Sequence, residues 1–332
     1  MLDDRKTAIL SAVVQEYIAT AQPVGSSHIA SAPGVQVSPA TVRNDMAVLE
    51  QEGFLVQPHT SAGRVPTDKG YRFFVDHLTE PGRLDATRSA EVGDFFSAAH
   101  GRLEELLHQT SDLLTRLTNS ASMVLGPAAA AAVVRSVQIV GLSTTTATAI
   151  LVLSNGTVAS EVIDLPDDTV DDEIRRAAAH LDSMLSGRSI GDTSTVPTLG
   201  EARVDEIAVA ALDALRRASS DDQVFVGGAS TVAASFDAVE VVRDVLHTLE
   251  QQFVVVSLVQ NILDRGMSVA IGVEHGVEPL AACSVVVAPV VVDGEHLGSV
   301  GVLGPTRMNY PQALATVGLV SDRLGRHLGD AG

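Results

Sequence analysis

Apolar residues recur at helical spacing near the start of the chain and predict three short helices. The first covers residues 5–20, with an apolar stripe of Ile9, Leu10, Val13, Val14, Tyr17 and Ile18. The second is predicted over 27–31, and the third begins after Ser38. Three helices with short connections, the last polar on its outer face, follow the order of a helix-turn-helix motif.

The third helix carries clear signals at both ends. Ser38 can accept a hydrogen bond from a free backbone N–H at the helix start, and Pro39 suits the first helical position. Gly53 is a typical stop signal after the helix. Val42, Met46 and Leu49 are spaced as one buried stripe, which predicts that the remaining faces are solvent-exposed.

A hairpin and a fourth helix are predicted next. Residues 54–56 are strand-like, residues 57–62 are polar and turn-rich, and Arg64 lies near the expected hairpin tip. Thr67 can cap the following helix, in which Tyr71 is a core candidate, as is Phe54 before the hairpin. This order, a helix, then a hairpin that carries an arginine, then another helix, is the pattern of a winged-helix domain. The alternative is that these elements form a helix-hairpin corner of another small domain.

Composition limits the classes of protein that remain. The 332 residues are 45% hydrophobic, sufficient for two or three domains, and no apolar run approaches the ~18 residues that cross a membrane. The N-terminus has no signal-peptide pattern and there is one cysteine, so a cytoplasmic location is expected. The net charge of −19 disfavours sequence-blind nucleic-acid binding, although residues 38–72 are electrically neutral.

Three segments together carry a family resemblance. They are Pro23-Val-Gly-Ser, Ser38-Pro-Ala-Thr-Val-Arg-Asn-Asp-Met and Ser61-Ala-Gly-Arg-Val-Pro-Thr-Asp-Lys-Gly-Tyr-Arg. The chain resembles the heat-inducible transcription repressors of the HrcA type, and residues 298–310 extend the resemblance to the C-terminal part. The resemblance implies a repressor of chaperone genes that binds an inverted-repeat operator as a homodimer. It also implies that a chaperonin maintains the active form and that heat stress ends repression.

The expected architecture is α+β, with four parts along the chain. A winged helix-turn-helix domain is expected over 1–80, ending at Pro81-Gly82, and a long linker helix within 81–127. The resemblance implies a GAF-like domain, assigned to 128–164 and 251–332, and an inserted α/β dimerisation domain, assigned to 165–250. The amphipathic pattern over 87–119 fits equally a helix that pairs with its copy and one that packs on the next domain.

Hairpins and Val-rich runs predict the sheet of the C-terminal part. Asn155-Gly156 and Asp293-Gly294 are two-residue turn signals between strand-like segments. Residues 253–258 and 283–292 are interpreted as buried strands, although 254–263 also fits a helix.

The outer face of the third helix supplies the candidate DNA contacts. Ser38, Thr41 and Asn44 are expected to reach phosphate or bases, together with the small Ala40. Arg43 can pair with guanine or hold a phosphate. Arg64 is expected to place the hairpin against the minor groove or backbone. Lys69 and Arg72 are expected to touch phosphate.

Catalytic and cofactor motifs are missing from the sequence. There is no His-Glu-x-x-His, paired cysteine, Gly-x-Ser-x-Gly or P-loop pattern, so we predict neither enzyme activity nor a cofactor or metal. Glu274-His275 is interpreted as solvated loop, and Cys283 as inert core. The alternatives are a regulator that binds a small molecule in the GAF-like domain and, in a different class, an enzyme with an N-terminal adaptor.

Overall fold

Helices and one short hairpin build the N-terminal region in the computed structural model of the chain. The structure describes residues 2–59, 62–78, 84–99, 102–126, 133–154, 158–190, 197–220, 224–229, 231, 235–236, 238–266 and 268–330. The first elements are α1 (Asp4–Thr20), α2 (Ser26–Ile29), α3 (Pro39–Gln51), β1 (Leu55–Val56), β2 (Val65–Pro66) and α4 (Asp68–Asp76). We call residues 4–76 the N-terminal unit.

Polar side chains cap the longer helices of this unit. Asp3 accepts from the backbone N–H of Lys6 at 2.8 Å, and Thr67 accepts from that of Gly70 at 3.2 Å. Gly53, two residues after the end of α3, has a φ of +79°, as its predicted role as a stop requires. The local signals in the sequence therefore predicted these boundaries to within one or two residues.

The prediction of a single linker helix over 87–119 is wrong, because the structure has two helices there. They are α5 (Ala86–Ala98) and α6 (Leu103–Thr118), and the backbone is extended at Ala99 and Arg102 between them. The apolar spacing runs on through Phe96, Ala99 and Leu103, which conceals the break. Both helices pack on other parts of the chain, so a continuous helix is not needed to bury the stripe.

A second unit with its own sheet follows strand β3 (Ala121–Leu125). It contains β4 (Val134–Gly141), β5 (Thr146–Leu153) and β6 (Val158–Asp164), which form an antiparallel sheet in that order. Helices α7 (Asp171–Leu185) and α8 (Ala202–Ser220) cover one face and share a separate hydrophobic core with it. We call residues 134–220 the inserted unit. The predicted turn Asn155-Gly156 lies outside the described residues.

The remaining strands pair with β3 in a five-stranded antiparallel sheet. We call this sheet, together with the helices that cover it, the body. They are β7 (Val224–Gly227), β8 (Val269–Ile271), β9 (Cys283–Val292) and β10 (Glu295–Pro305), and the sheet order is β7-β3-β10-β9-β8. Helices α9 (Val239–Glu250) and α10 (Gln252–Asp264) cover one face. Helices α5, α6 and α11 (Tyr310–Asp330) cover the other.

Two expectations about this region need correction. The strands within 128–164 form a sheet of their own, in the order β4-β5-β6, and pack on α7 and α8. Strand β7, in contrast, pairs with β3 in the other sheet, so 134–220 replaces 165–250 as the inserted segment. Strand patterns in a sequence do not reveal which sheet a strand joins. The Val-rich segment 253–258 belongs to helix α10, because Val255, Val259 and Ile262 bury one helical face against the sheet. The predicted end of the winged-helix domain, at Pro81-Gly82, lies outside the described residues. So does the predicted boundary between the linker segment and the GAF-like domain, at 127–128.

The N-terminal unit shares one continuous hydrophobic core with the body. Val42, Met46 and Leu49 of α3 belong to the same buried cluster as Val286 of β9 and Tyr310 of α11. Tyr71 of α4 lies between the two regions, with its ring centroid 5.8 Å from that of Tyr310. Among the described residues, none of the helices is both long and apolar enough to span a lipid bilayer.

Candidate DNA-binding surface

The start of α3 has the geometry that the sequence predicted. The Ser38 hydroxyl accepts from the backbone N–H of Thr41 at 3.2 Å and lies 2.9 Å from the Thr41 hydroxyl. Pro39 occupies the first turn, where its missing N–H leaves no bond unmade. Both hydroxyls therefore form part of the cap, at the helix end whose free N–H groups and dipole favour an anion such as phosphate.

The two faces of α3 differ in the way a DNA-reading helix requires. Val42, Met46 and Leu49 are buried, as predicted. Ala40, Arg43 and Asn44 are exposed on the opposite face. Within the part of the chain that the structure describes, the side chains of Arg43 and Asn44 form no hydrogen bond or ion pair. Arginine and asparagine are the side chains that pair most specifically with guanine and adenine in the major groove.

An ion pair between a half-exposed arginine and a buried aspartate anchors the inner side of α3 to α1. Asp45 is 6% exposed and accepts from the Arg5 guanidinium at 2.8 and 3.2 Å. The hydrogen bond that Arg5 donates to Asp45 raises the pKa of Arg5. This two-point contact fixes the rotation of α3 and, with it, the direction of the exposed face.

Arg64 lies immediately before β2 and not on a free hairpin tip. Its guanidinium donates to one carboxylate oxygen of Glu50 at 2.9 and 3.2 Å, and its side chain is 16% exposed. Its backbone exchanges two hydrogen bonds with Val24, both 2.9 Å long. A Cβ on Gly63 would lie 2.4 Å from the Val24 carbonyl oxygen, so this close approach requires glycine. Arg64 thus ties the hairpin to α3, and its expected DNA contact would have to break that pair.

Lys69 and Arg72, both expected to touch phosphate, have different surroundings. Lys69 is exposed, donates to the Glu52 carbonyl at 2.7 Å, and lies 4.3 Å from the Phe54 ring centroid. Arg72 is directed at the body, where it donates to the Val269 carbonyl at 2.8 Å and to both oxygens of Glu274. Lys69 stays a candidate for phosphate, whereas Arg72 is better explained by its contact with the body.

The interpretation of Glu274-His275 as solvated loop is wrong. Burial favours a higher pKa for Glu274, but hydrogen bonds from Arg72 and the Ile271 N–H outweigh it and lower the pKa. His275 is buried, with Nε2 3.0 Å from the Leu280 carbonyl oxygen and Nδ1 accepting from the Val277 N–H at 3.2 Å. Their position after a strand gave no signal of this contact, because the partner in α4 is about 200 residues away in the sequence.

The other candidate chemistry is structural. Cys283 is buried, and burial raises the pKa of its thiol to about 12, which keeps it protonated and unreactive at neutral pH. The acidic residues 171–173 lie in the first turn of α7, where negative charge is favourable. Within the described ranges, no group of three or more His, Cys, Asp or Glu side chains has the arrangement of a metal site.

These features define a class of protein: a helical unit that exposes one face of a capped helix, joined to an α+β body with an inserted sheet. A solved structure described only as a hypothetical protein covers 100% of this chain and 100% of its own, with a TM-score of 0.70 and 23% identity, so the overall fold is shared.

Sequence comparison identifies the family. Residues 104–314 match the profile of the HrcA protein C terminal domain. The heat-inducible transcription repressor HrcA of Acidothermus cellulolyticus is 36% identical, over 99% of this chain and 100% of its own. That of Nocardioides sp. is 34% identical, over 99% of both. The chain belongs to the HrcA family of heat-inducible transcription repressors, and these relatives are named as repressors, not as enzymes.

Proposed function

We propose that this protein represses heat-shock (chaperone) genes by binding an inverted-repeat operator in double-stranded DNA, with α3 in the major groove. The exposed face of α3, with Arg43 and Asn44 beside the Ser38 cap, is the observation that carries the proposal. Repression requires no chemistry on a substrate, so the protein acts as a binding protein and not as an enzyme. The repressor names of its full-length relatives support this function.

The N-terminal unit acts as a winged helix-turn-helix domain in this proposal, and the body as a GAF-like domain. Helices α2 and α3 form the helix-turn-helix pair, and the β1–β2 hairpin is the wing. Ser38 and Thr41 hold phosphate at the helix start, while Arg43 and Asn44 read bases and Ala40 permits close approach. Lys69 lies on the exposed side of α4 and adds a phosphate contact.

Selection from random duplexes tests the class of function. The full chain is expected to enrich an inverted repeat, and recovery of unrelated sequences would remove the proposal. On the selected operator, Arg43→Ala is expected to cost about 1–3 kcal/mol and to relax specificity at one position. A loss that is uniform across sequences would make Arg43 a phosphate contact. Arg326→Ala, which changes an exposed arginine on α11, is the matched control.

A homodimer forms, we propose, through the outer face of the inserted sheet. Helices α7 and α8 cover only the inner face. The apolar residues on the outer side are Val140, Leu142, Ile150, Val152, Val158 and Val162. Val158 is 54% exposed and Val162 is 61% exposed, and both lie beside strand β5, in which the alternate positions on the inner face are buried. Apolar patches of this kind mark protein–protein contacts, and a twofold dimer lets two α3 helices read the two arms of an inverted repeat.

A charge on this face tests the dimer. Val162→Asp is expected to give a monomer by size measurement and to weaken operator binding, because a buried unpaired carboxylate is strongly unfavourable. Val209→Asp is the matched control, since Val209 is also exposed but lies on α8, away from the sheet face. A dimeric Val162→Asp protein would move the interface elsewhere.

Heat and chaperonin regulation complete the proposal. Heat releases the operator by partly unfolding the repressor, and the chaperonin restores the binding-competent form. Operator affinity measured with and without chaperonin, before and after a brief heat step, tests this link. Recovery that is equal in both samples would exclude the chaperonin as a regulatory partner.

A further inference from the structure

Helix α4 joins the N-terminal unit to the body through a polar contact that ordinary core packing does not require. Arg72 Nε lies 2.9 Å from Glu274 Oε1, and its Nη2 contacts Glu274 Oε2 and the Val269 carbonyl oxygen. Glu274 also accepts from the backbone N–H of Ile271 at 2.8 Å. A planar guanidinium that meets a carboxylate at two points fixes direction as well as distance. We call this contact, with Asp68, Tyr71 and Gly272, the α4 junction.

The rest of the α4 junction leaves little room for alternative packing. A Cβ on Gly272, whose φ is +56°, would lie 2.2 Å from a carboxylate oxygen of Asp68. Burial and the nearby Glu274 raise the pKa of Asp68, and the Val273 N–H opposes that rise. Tyr71 is 2% exposed and packs on Tyr310 of α11. Backbone, charge and aromatic contacts therefore specify one orientation of α4 on the body.

That orientation extends to α3 through the N-terminal unit. Helices α3 and α4 pack on α1 within one core, and Arg5–Asp45 and Arg64–Glu50 add ion pairs inside the unit. Protein interiors are close-packed and transmit displacement with little compression. A rotation of α4 on the body therefore moves the exposed face of α3 as a rigid whole.

We propose that Arg72 and Glu274 are positioning residues that set the separation between the two operator half-sites that the dimer accepts. The inference rests on the proposed function, because it requires DNA binding by a dimer. Half-site spacing in twofold complexes is fixed by the distance between the two reading helices. Base pairs stack about 3.4 Å apart, so a shift of that size at α3 changes the preferred spacing by one base pair.

A spacer series measures this property directly. The full-length protein is titrated against duplexes with the selected half-sites and spacers shortened or lengthened by one or two base pairs. Wild type is expected to lose about tenfold or more in affinity for each added or removed base pair. Arg72→Ala and Glu274→Ala are expected to flatten this profile to about threefold, and the double variant to match the single ones because both remove one contact.

Three further proteins make the result decisive. Glu201→Gln breaks a different inter-helix ion pair, with Arg176 in the inserted unit, and is expected to keep the wild-type profile. The charge-reversed pair Arg72→Glu with Glu274→Arg is expected to restore part of the spacer preference. Glu274→Gln keeps a hydrogen-bond acceptor for Arg72 and Ile271, so it replaces the alanine variants if they do not fold. It is expected to flatten the spacer profile in part. Thermal melting and dimer size are measured for every protein.

The outcomes separate this inference from the proposed function. Variants that lose affinity equally at every spacer, or keep the wild-type profile, would show that the α4 junction only stabilises the fold. A wild-type protein that binds inverted repeats with no spacer preference would also overturn the inference while leaving the function intact. If wild type enriched no inverted repeat, the proposed function itself would fail.

Discussion

The N-terminal unit and the inserted unit are similar in size but are joined to the body in different ways. The inserted unit, residues 134–220, has a hydrophobic core of its own. The core of the N-terminal unit continues without a break into β8, β9 and α11 of the body. One unit is thus attached mainly through chain connections, whereas the other is part of the same packed interior.

This difference assigns different physical roles to the two units. A unit with a separate core can lose its packing without changing its neighbours, since each hydrophobic cluster is stabilised by its own contacts. A unit with a shared core reports any change in the body, because the same side chains stabilise both. A structural change in the body is therefore expected to reach α3 through α4. The inserted unit contributes its outer sheet face to the proposed dimer.

The largest effect is expected at Tyr310, the centre of the shared core. Its ring is fully buried, so Tyr310→Ala should lower the free energy of unfolding by about 3–5 kcal/mol. Hydrogen exchange should then speed up in α3, α4 and the body strands together, while residues 134–220 keep their protection. Faster exchange that stops at the edge of the body would contradict the shared core.

A matched change in the separate core should have a smaller and local effect. Leu181 of α7 is fully buried, and Leu181→Ala should cost about 3 kcal/mol within residues 134–220. Exchange in α3 should stay at the wild-type rate. Leu181→Met is the control, because it nearly conserves volume and should cost less than about 1.5 kcal/mol. Loss of α3 protection in the alanine variant would show that the two cores are coupled.

Tyr71 of the α4 junction and its neighbour Tyr310 should respond oppositely to loss of the hydroxyl. Among the described residues, the Tyr71 hydroxyl is a buried side-chain group without a hydrogen-bond partner. Tyr310 instead contacts Ser284 at 2.8 Å and the Thr306 carbonyl at 2.5 Å. Chemical denaturation should show that Tyr310→Phe loses about 1–2 kcal/mol and that Tyr71→Phe loses nothing or gains up to about 1 kcal/mol. Equal losses would mean that Tyr71 also has a partner, such as water.

Acid should weaken the α4 junction through His275, with the smallest effect of the series. Burial lowers the pKa of His275 from its ordinary value of 6.5, against the raising effect of the Leu280 and Cys283 backbone, Glu274 and Asp68. Its contribution to stability is therefore complete above about pH 6.5 and is lost as the pH falls through the lowered value, by at most about 1.4 kcal/mol per pH unit.

Denaturation curves between pH 7.5 and 5.5 test the histidine. His275→Asn should remove part of the pH dependence that wild type shows in this window. The exposed His296→Asn is the control and should melt with the wild-type pH dependence. A His275→Asn protein that keeps the full dependence would assign it to other groups.

Local signals predicted the helices and the hairpin of the N-terminal unit well. The predictions that were wrong concern contacts between residues far apart in the sequence. The Ser38 cap, the Gly53 stop and the buried stripe of α3 each depend on residues that are close together in the chain, so their pattern is visible in the sequence. The exposed positions of Arg43 and Asn44 follow from the same pattern. The partners of Arg64 and Arg72 do not follow from any local pattern, since only folding brings Glu50 and Glu274 next to these arginines.

By itself, the sequence determined the helices of the N-terminal unit, the Asp293-Gly294 hairpin and the family resemblance, because caps, turns and periodic stripes are short-range properties. Only the tertiary structure decided that 134–220 is the inserted segment, that 253–258 is helical, and that Arg72 belongs to a contact with the body. Those outcomes depend on which distant strands pair and which charges meet. The free energy of such contacts comes from packing and desolvation between segments far apart in the chain.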